Sequence, residues 1–397
     1  MSATTSPSYS EALHDSAGPG QHPIVHASLP KATGDFTRVS KHGDATLRLT
    51  AQHDNIDLPA YEVGGVVAGT VELSKTDHIS TVEFKVEGHL RVIETGEDGH
   101  FDATLVSETT VLWVAEGNDS VCPSVLPFSV TLPTTFVNEG ETYALPPTYS
   151  VERSGIPGFS ATVQYSISAI IHKRPSLLHP APLLHLGNTI VSTPFIYNPR
   201  TRPAHPIPPS LKYADGGFIE DSEWQRHESV IKPSPGADGL QDIVAKFYLP
   251  ARRIFCGSDP IPFHLTIESD APSLAAFQQF APTTGNSENA GATQVQIIRQ
   301  SKVHVKNAVN PNARTDMWRE DYIGKGTFKI VDNSPTSMSY TGEIKVAAAE
   351  VTSFKSAGLT VQDFVSLSVT PPGANPPIVG MRKAVQVWLT TDAQDES

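Results

Sequence analysis

The sequence predicts an all-β protein built from two antiparallel β-sandwiches in tandem, preceded by a disordered arm. Segments in which apolar and polar residues alternate recur along most of the chain, and clusters of glycine, proline, asparagine and aspartate separate them. A proline-dense stretch near residue 200 divides these segments into two groups. With 397 residues, the chain is long enough to form two hydrophobic cores rather than one.

The composition favours short strands and loops, and it argues against nucleic acid as a partner. Hydrophobic residues make up 39% of the chain and charged residues 18%, while 33 prolines and 28 glycines supply frequent turns. The net charge of −13 opposes binding to a polyanion, because nucleic-acid binding depends on Lys and Arg displacing counterions. We therefore expect no nucleic-acid partner.

Signals for secretion or membrane insertion are not evident in the sequence. The N-terminal stretch has no apolar run, and no uncharged run of about 18 apolar residues occurs elsewhere. The two cysteines, Cys122 and Cys256, fall in different predicted domains, so we expect no disulfide framework. These features predict a cytoplasmic protein with peripheral membrane association only.

The first predicted domain covers residues 44–195. Residues 1–43 are rich in Ser, Thr, His, Gly and Pro without a sustained period, which predicts a disordered arm. The clearest strand alternates over Ile79–Glu94, where Gly88 suggests a bulge or a bend. The other strand-like segments are Thr46–Ala51, Val63–Leu73, Ala103–Ala115, Val125–Leu132 and Ala161–Lys173.

A proline-rich linker is predicted over residues 196–237, then a second sandwich over residues 238–391 and a short tail over residues 392–397. In the linker, Pro203 and Pro206 have the PxxP spacing of SH3 ligands, but this spacing is common and nonspecific, and a spacer role explains them better. One short helix is expected at Pro272–Phe280. The strand-like segments are Asp242–Leu249, Ile261–Ile267, Gln294–Val305, Tyr322–Val331, Ser339–Val346, Phe364–Val369 and Ile378–Leu389.

Common catalytic and metal-binding motifs are absent from the sequence. It contains no G-x-S-x-G elbow, no phosphate-binding G-x-x-x-x-G-K-[ST] loop, no H-E-x-x-H and no C-x-x-C. The 15 histidines scatter through loops. Gly64, Gly65 and Gly69 lie within a strand-like run, where a close backbone approach explains them better than a phosphate loop. We expect a non-enzymatic protein without a cofactor or a metal.

Several short motifs follow one another in a fixed order along the chain. Residues 61–73, YEVGGVVAGTVEL, are similar to a Y-x-P-G-x-x-V-x-G-x-V-x-L turn and strand, with Val63 in place of the proline. Four further segments continue the series: Leu126–Pro133, Leu145–Tyr149, Val163–Ile171 and Phe255–Phe263. In this order, the segments resemble the arrestin superfamily, in particular the fungal α-arrestin-like proteins, over about residues 45–391.

This resemblance implies two tandem immunoglobulin-like antiparallel β-sandwiches and the function of an adaptor. Arrestin-like proteins bind membrane-protein cargo such as transporters or receptors, link it to ubiquitin ligases or endocytic coats, and do no covalent chemistry. An alternative is a structural subunit of a vesicle-sorting coat of the retromer type, which has the same two-sandwich plan. Either function would bring the protein from the cytoplasm to the plasma membrane or endosomes.

One string in the chain fits the P-P-x-Y pattern, at Pro146, Pro147, Thr148 and Tyr149. In α-arrestins such a motif recruits a WW-domain ubiquitin ligase, and this docking needs an exposed polyproline II segment. The same residues coincide with an L-P-P-S-[FY] strand start of the family, where the prolines shape a loop and the ring packs inward. The position of the string is unusual for WW docking, because α-arrestins usually carry these motifs in a long C-terminal tail. The sequence leaves both interpretations open.

Overall fold

The protein is almost entirely β-structure, which confirms the predicted all-β class. The computed structural model describes residues 24–27, 32–54, 56–96, 99–117, 120–174, 188–284, 291–306, 314–346 and 351–394. Within these ranges, no helix is both long enough and apolar enough to cross a bilayer.

In the described ranges, thirteen strands precede residue 200, and most of them alternate buried and exposed side chains. In chain order they are β1 (Ile24–His26), β2 (Gly34–Val39), β3 (Ala45–Gln52), β4 (Ala60–Tyr61), β5 (Val66–Leu73), β6 (Ile79–Thr95), β7 (His100–Val114), β8 (Val125–Thr131), β9 (Thr135–Asn138), β10 (Glu141–Ala144), β11 (Tyr149–Arg153), β12 (Gly158–Lys173) and β13 (Thr189–Tyr197).

After residue 200, the described ranges contain thirteen further strands and one short helix. The strands are β14 (Thr201–Pro203), β15 (Tyr213–Ala214), β16 (Gly217–Phe218), β17 (Trp224–Ile231), β18 (Ile243–Pro250), β19 (Ile254–Cys256), β20 (Ile261–Glu268), β21 (Thr293–Lys306), β22 (Arg314–Asn333), β23 (Ser337–Val346), β24 (Phe354–Ser356), β25 (Leu359–Val369) and β26 (Met381–Thr390). Helix α1 (Ala271–Phe277) continues as a single 3₁₀ turn at Gln278–Phe280, close to the predicted helix.

The first half contains a four-stranded antiparallel sheet in the order β2-β3-β5-β8. Its apolar face contributes to a first hydrophobic core together with β6 and β12. In this core, the ring of Phe84 on β6 stacks on that of Phe128 on β8 with a centroid distance of 3.9 Å. Burial of these apolar side chains is the main force that holds the two layers together.

A large curled sheet continues through both halves in the order β17-β18-β20-β23-β22-β21-β7-β6-β12-β13-β4. The two halves join within it at one residue pair, His100 of β7 with Lys306 of β21. The second half contains a second hydrophobic core, which includes Phe247, Phe263 and Phe277 of α1. The Asp270 side chain caps this helix by accepting a hydrogen bond from the Ser273 amide.

Two predicted glycine positions have a clear packing reason. A Cβ on Gly69 would lie 1.9 Å from the carbonyl oxygen of Arg48 on the neighbouring strand. A Cβ on Gly88 would lie 2.6 Å from the ring of Tyr165, and the pairing register of β6 shifts immediately after this glycine. The close approach at Gly69 is therefore confirmed, whereas the extra residue of the bulge beside Gly88 is Leu105 on β7 and not a residue of β6.

The predicted disordered arm over residues 1–43 is wrong for its second part. Gly34–Val39 forms β2, which pairs antiparallel with β3, and the Phe36 side chain packs against the first core. Ile24–His26 forms β1, which pairs with the distant strand β14. Pairing with strands elsewhere in the chain stabilises these short segments. Their own residues therefore need not alternate between apolar and polar, and the sequence pattern did not predict them. Residues 1–23 and 28–31 lie outside the described ranges.

The predicted linker over residues 196–237 is also wrong in part, because β14 to β17 lie within it. Strand β17 pairs with β18 over its whole length, so the regular strand pairing of the second half begins at Trp224 rather than at residue 238. The side chains of Leu211, Phe218, Trp224 and Tyr248 form a third, small apolar cluster. The sequence did not reveal this part of the fold, because prolines and charged residues interrupt the apolar pattern.

His264 is fully buried beside this third cluster. Its ring centroid lies 4.5 Å from that of Phe218 and 4.6 Å from that of Trp224. Its Nε2 accepts a hydrogen bond of 3.1 Å from the backbone N–H of Leu211, which ties the connecting segment to β20. Burial lowers the pKa of His264 to about 4, so the ring is neutral at physiological pH.

We expect His264 to make the folded protein sensitive to acid. Because its pKa is lower in the folded state than in the unfolded chain, it contributes stability above about pH 6.5 that is lost as the pH falls towards 4. Full protonation would cost about 3 kcal/mol of unfolding free energy. Urea denaturation between pH 4 and 7 should show a flatter profile for His264→Gln; parallel profiles would contradict this assignment.

Candidate functional site

The sequence-predicted segment Pro146–Tyr149 lies inside the protein, at the junction between the two halves. Both Pro146 and Pro147 are buried. The carbonyl of Pro146 accepts a hydrogen bond of 2.6 Å from the hydroxyl of Tyr165, a core residue of β12. The backbone N–H of Thr148 donates to the carbonyl of Tyr197 at 2.8 Å, and Tyr149 begins strand β11. The segment is thus held by the first core and by two neighbouring strands.

Tyr149 is half-buried and contacts the second half directly. Its hydroxyl is hydrogen-bonded to Ser301 Oγ on β21 at 2.8 Å. Its ring meets that of Phe354 on β24 edge to face, with centroids 5.5 Å apart. Burial raises the pKa of Tyr149, so its hydroxyl stays protonated at physiological pH. This side chain is therefore a contact between the halves.

The described conformation favours the structural interpretation of the P-P-x-Y string. A WW domain stacks its aromatic rings on exposed prolines and contacts the tyrosine that follows. Here the prolines are buried and the tyrosine hydroxyl has a partner in the other half. WW docking would require the segment to leave its place in β11 and in the junction.

Beside Tyr149, two charged side chains are buried between the two cores. Arg299 of β21 and Asp363 of β25 face each other across the sheet, with Nε–Oδ1 and Nη2–Oδ2 distances of 2.8 and 2.9 Å. Ser353 donates a third hydrogen bond to Asp363, at 2.7 Å. Burial acts to lower the pKa of Arg299, but the hydrogen bond and charge of Asp363 outweigh it and raise that pKa. The arginine is permanently charged and fully dependent on its partner.

Further contacts cross the junction on its outer side. Arg153, at the end of β11, donates to the carbonyl of Trp318 at 3.0 Å, and Arg319 donates to the carbonyl of Glu152. These charge-assisted hydrogen bonds to backbone carbonyls hold the end of β11 against β22. The junction therefore has a buried ionic part and a partly exposed hydrogen-bonded rim.

Large apolar side chains are exposed around this rim. Ile156, in the loop between β11 and β12, is 83% exposed, and it lies against Gly96 at the end of β6. On β22, Trp318 and Tyr322 are 42% and 63% exposed. Ile93 of β6 is exposed as well. We call Ile93, Ile156, Trp318 and Tyr322 the rim residues.

Sequence reasoning missed both the ion pair and the rim residues. The signal for the ion pair was present, because Arg299 and Asp363 each occupy an inward-facing position in an otherwise apolar or small series along their strands. The rim residues come from three separate segments of the chain. No local pattern connects them, and only the folded structure places them around one junction.

The structure also places the proline pair, the cysteines and the potential metal ligands that the sequence offered. Pro203 is buried in β14 while Pro206 is exposed, so the PxxP pair does not form one continuous exposed ligand. Cys122 and Cys256 are both buried and free. In the ranges given above, no group of three or more His, Cys, Asp and Glu side chains is arranged to hold a metal ion.

The sequence matches no protein-family model, and it matches no curated protein. The resemblance to arrestins therefore stays a prediction drawn from the order of the motifs.

Removing the charge of Asp363 should strongly destabilise the protein. We expect Asp363→Asn to lower the unfolding free energy by about 3–5 kcal/mol, because it leaves the Arg299 guanidinium buried without a counter-charge. The double variant Arg299→Met, Asp363→Leu should recover most of this loss. Chemical denaturation measures both; a cost below about 1 kcal/mol for Asp363→Asn would contradict the assigned role.

The buried P-P-x-Y string should be hidden from WW domains in the folded protein. A synthetic peptide of residues 140–154 should bind a WW domain at least about tenfold more tightly than the full-length protein does, because only the peptide presents its prolines. A peptide carrying Tyr149→Ala is the matched control. Equal affinities of peptide and protein, measured by fluorescence anisotropy, would show that the motif is accessible after all.

Proposed function

We propose that the chain is a non-catalytic adaptor, built from two tandem arrestin-like β-sandwiches, that binds membrane-protein cargo for trafficking or endocytosis. The observation that carries this proposal is the set of rim residues, which are large, apolar and exposed at a junction to which both halves contribute. Clusters of exposed apolar side chains mark interaction surfaces in proteins that are otherwise polar outside. The motif order of the sequence is a second, independent support.

The junction is well suited to present such a surface. The loop that carries Ile156 follows β11, and β11 is fixed to the second half by the bonds of Tyr149 and Arg153. The loop therefore has a defined position relative to Trp318 and Tyr322. A surface held in advance loses less conformational entropy on binding than a flexible one. Cargo segments with apolar side chains would fit it best.

The proposal does not include recruitment of a ubiquitin ligase through Pro146–Tyr149, because the prolines are buried. A ligase or a coat would have to reach the protein through another surface. The adaptor would act in the cytoplasm and be recruited to the plasma membrane or endosomes by its cargo. This mode of action needs only peripheral membrane association.

Changes at the rim residues should weaken cargo binding without unfolding the protein. We expect proximity labelling in cells to recover membrane transporters or receptors with the wild type, and at least about fivefold less of them with Ile156→Asp or Trp318→Ala. Val137→Asp is the matched control, because Val137 is also exposed but lies on β9, a strand that carries none of the rim residues. Equal thermal midpoints would show that all variants are folded.

Two other outcomes would redirect the proposal. Stable co-purification with a fixed set of protein partners, unaffected by the rim variants, would favour a subunit of a retromer-type sorting coat. Recovery of metabolic enzymes in place of membrane proteins would contradict the adaptor function altogether.

A further inference from the structure

Strand β7 has a free edge along most of its length. It pairs with β6 on one side from His100 to Val114. On its other side, it pairs with β21 only at His100, and no other strand of the described chain pairs with it there. The backbone N–H and C=O groups on that side are therefore open to pair with another chain beyond the first residues of the strand.

Other strands at the margins of the sheets carry residues that block pairing with a further strand. Proline cannot donate to a ladder, and exposed charges disfavour association. The protective residues are Asp35 and Arg38 on β2, Pro127 on β8, Pro194 on β13, and Arg226 and Glu228 on β17. Residues 109–115 of β7 and its extension, TTVLWVA, contain neither a proline nor a charge.

The side chains of this part of β7 are suited to contact a partner. Val111 and Val114 are 52% and 56% exposed. Between them, the pairing register with β6 shifts at Leu112, and the side chains of Leu112 and Trp113 both pack against the first core. An open depression lined by residues 111–114, Glu116 and Ser120 continues the edge beyond this bulge. The regular part of the free edge is thus Ser107–Val111, followed by an open depression lined by both apolar and polar side chains.

We propose that this edge binds an extended segment of a partner protein, which adds to the sheet as a further strand, and that the segment has alternating apolar residues with basic residues at its ends. Glu108 and Glu116 lie exposed on either side of the uncharged stretch. No described basic side chain forms an ion pair with either carboxylate. Basic flanks on the incoming segment would supply those partners, while backbone hydrogen bonds would supply sequence-tolerant affinity.

The same charges argue against a second copy of this chain as the occupant. In the register that pairs the whole uncharged stretch of one copy with that of another, antiparallel about Leu112, Glu108 of each copy would lie opposite Glu116 of the other. Like charges directly opposite in a sheet are destabilising, and each chain carries a net charge of −13. The edge is separate from the rim residues, so the inference does not depend on the proposed adaptor function.

The test uses the full-length protein and labelled peptides in fluorescence anisotropy. The probe is the peptide Lys-Thr-Val-Thr-Val-Thr-Val-Thr-Lys, in which the two Lys flank seven residues as Glu108 and Glu116 do; a version with Glu in place of both Lys and a version N-methylated at every residue are the comparisons. We expect saturable binding of the Lys peptide and at least tenfold weaker binding of the other two. The variant Val111→Lys should weaken binding of the Lys peptide at least tenfold, whereas Val230→Lys on β17 should leave it unchanged.

A charge exchange provides the decisive control. The double variant Glu108→Lys, Glu116→Lys should reverse the preference, so that the Glu peptide binds more tightly than the Lys peptide. Equal binding of the N-methylated peptide would overturn strand addition, and an unchanged preference in the double variant would overturn the basic flanks. If no peptide binds saturably at concentrations up to about 1 mM, where even very weak binding is detected, the edge of β7 is not a binding site. A concentration-dependent dimer of the wild type that Val111→Lys abolishes would assign the edge to a second copy instead.

Discussion

The ion pair between Arg299 and Asp363 is the interaction on which the arrangement of the two halves depends. Strands β21 and β25 each run through both hydrophobic cores, and the pair lies at the point where they pass from one core to the other. A buried pair of this kind adds little net stability, because desolvation offsets the attraction. We expect it to act through register instead, since any other pairing of β21 with β25 would leave a charge buried without a partner.

The contacts between the halves are arranged around this fixed register. Ser301 lies two residues after Arg299 on the same inward face, and it holds the hydroxyl of Tyr149. That bond in turn sets the position of β11 and of the loop with Ile156. A string that resembles a ligase-docking motif is therefore used as part of the packing between the halves. The example shows why a short motif needs its exposure tested before it supports a function.

Much of the fold could be predicted, while most of the candidate site could not. Alternation over Ile79–Glu94 predicted β6 because one face of this strand is buried and the other is solvated. The short strands β1, β2 and β17 escaped prediction, because distant strands stabilise them and their own pattern is weak. The rim residues escaped for a related reason, as an exposed isoleucine or tryptophan has no local signature. The sequence predicted β7 only as a strand. Its free edge could not be predicted, because the absence of a neighbouring strand depends on the strand order.

The sequence by itself determined the all-β class, the approximate positions of most of the long strands and the close approach at Gly69. Such features follow from local alternation and from the size of one side chain, which are written into neighbouring residues. The tertiary structure alone decided that Tyr149 packs against the second half, that Arg299 meets Asp363, and that one edge of β7 stays open. These are relations between residues far apart in the chain, and they are fixed by the order and register in which the strands pair.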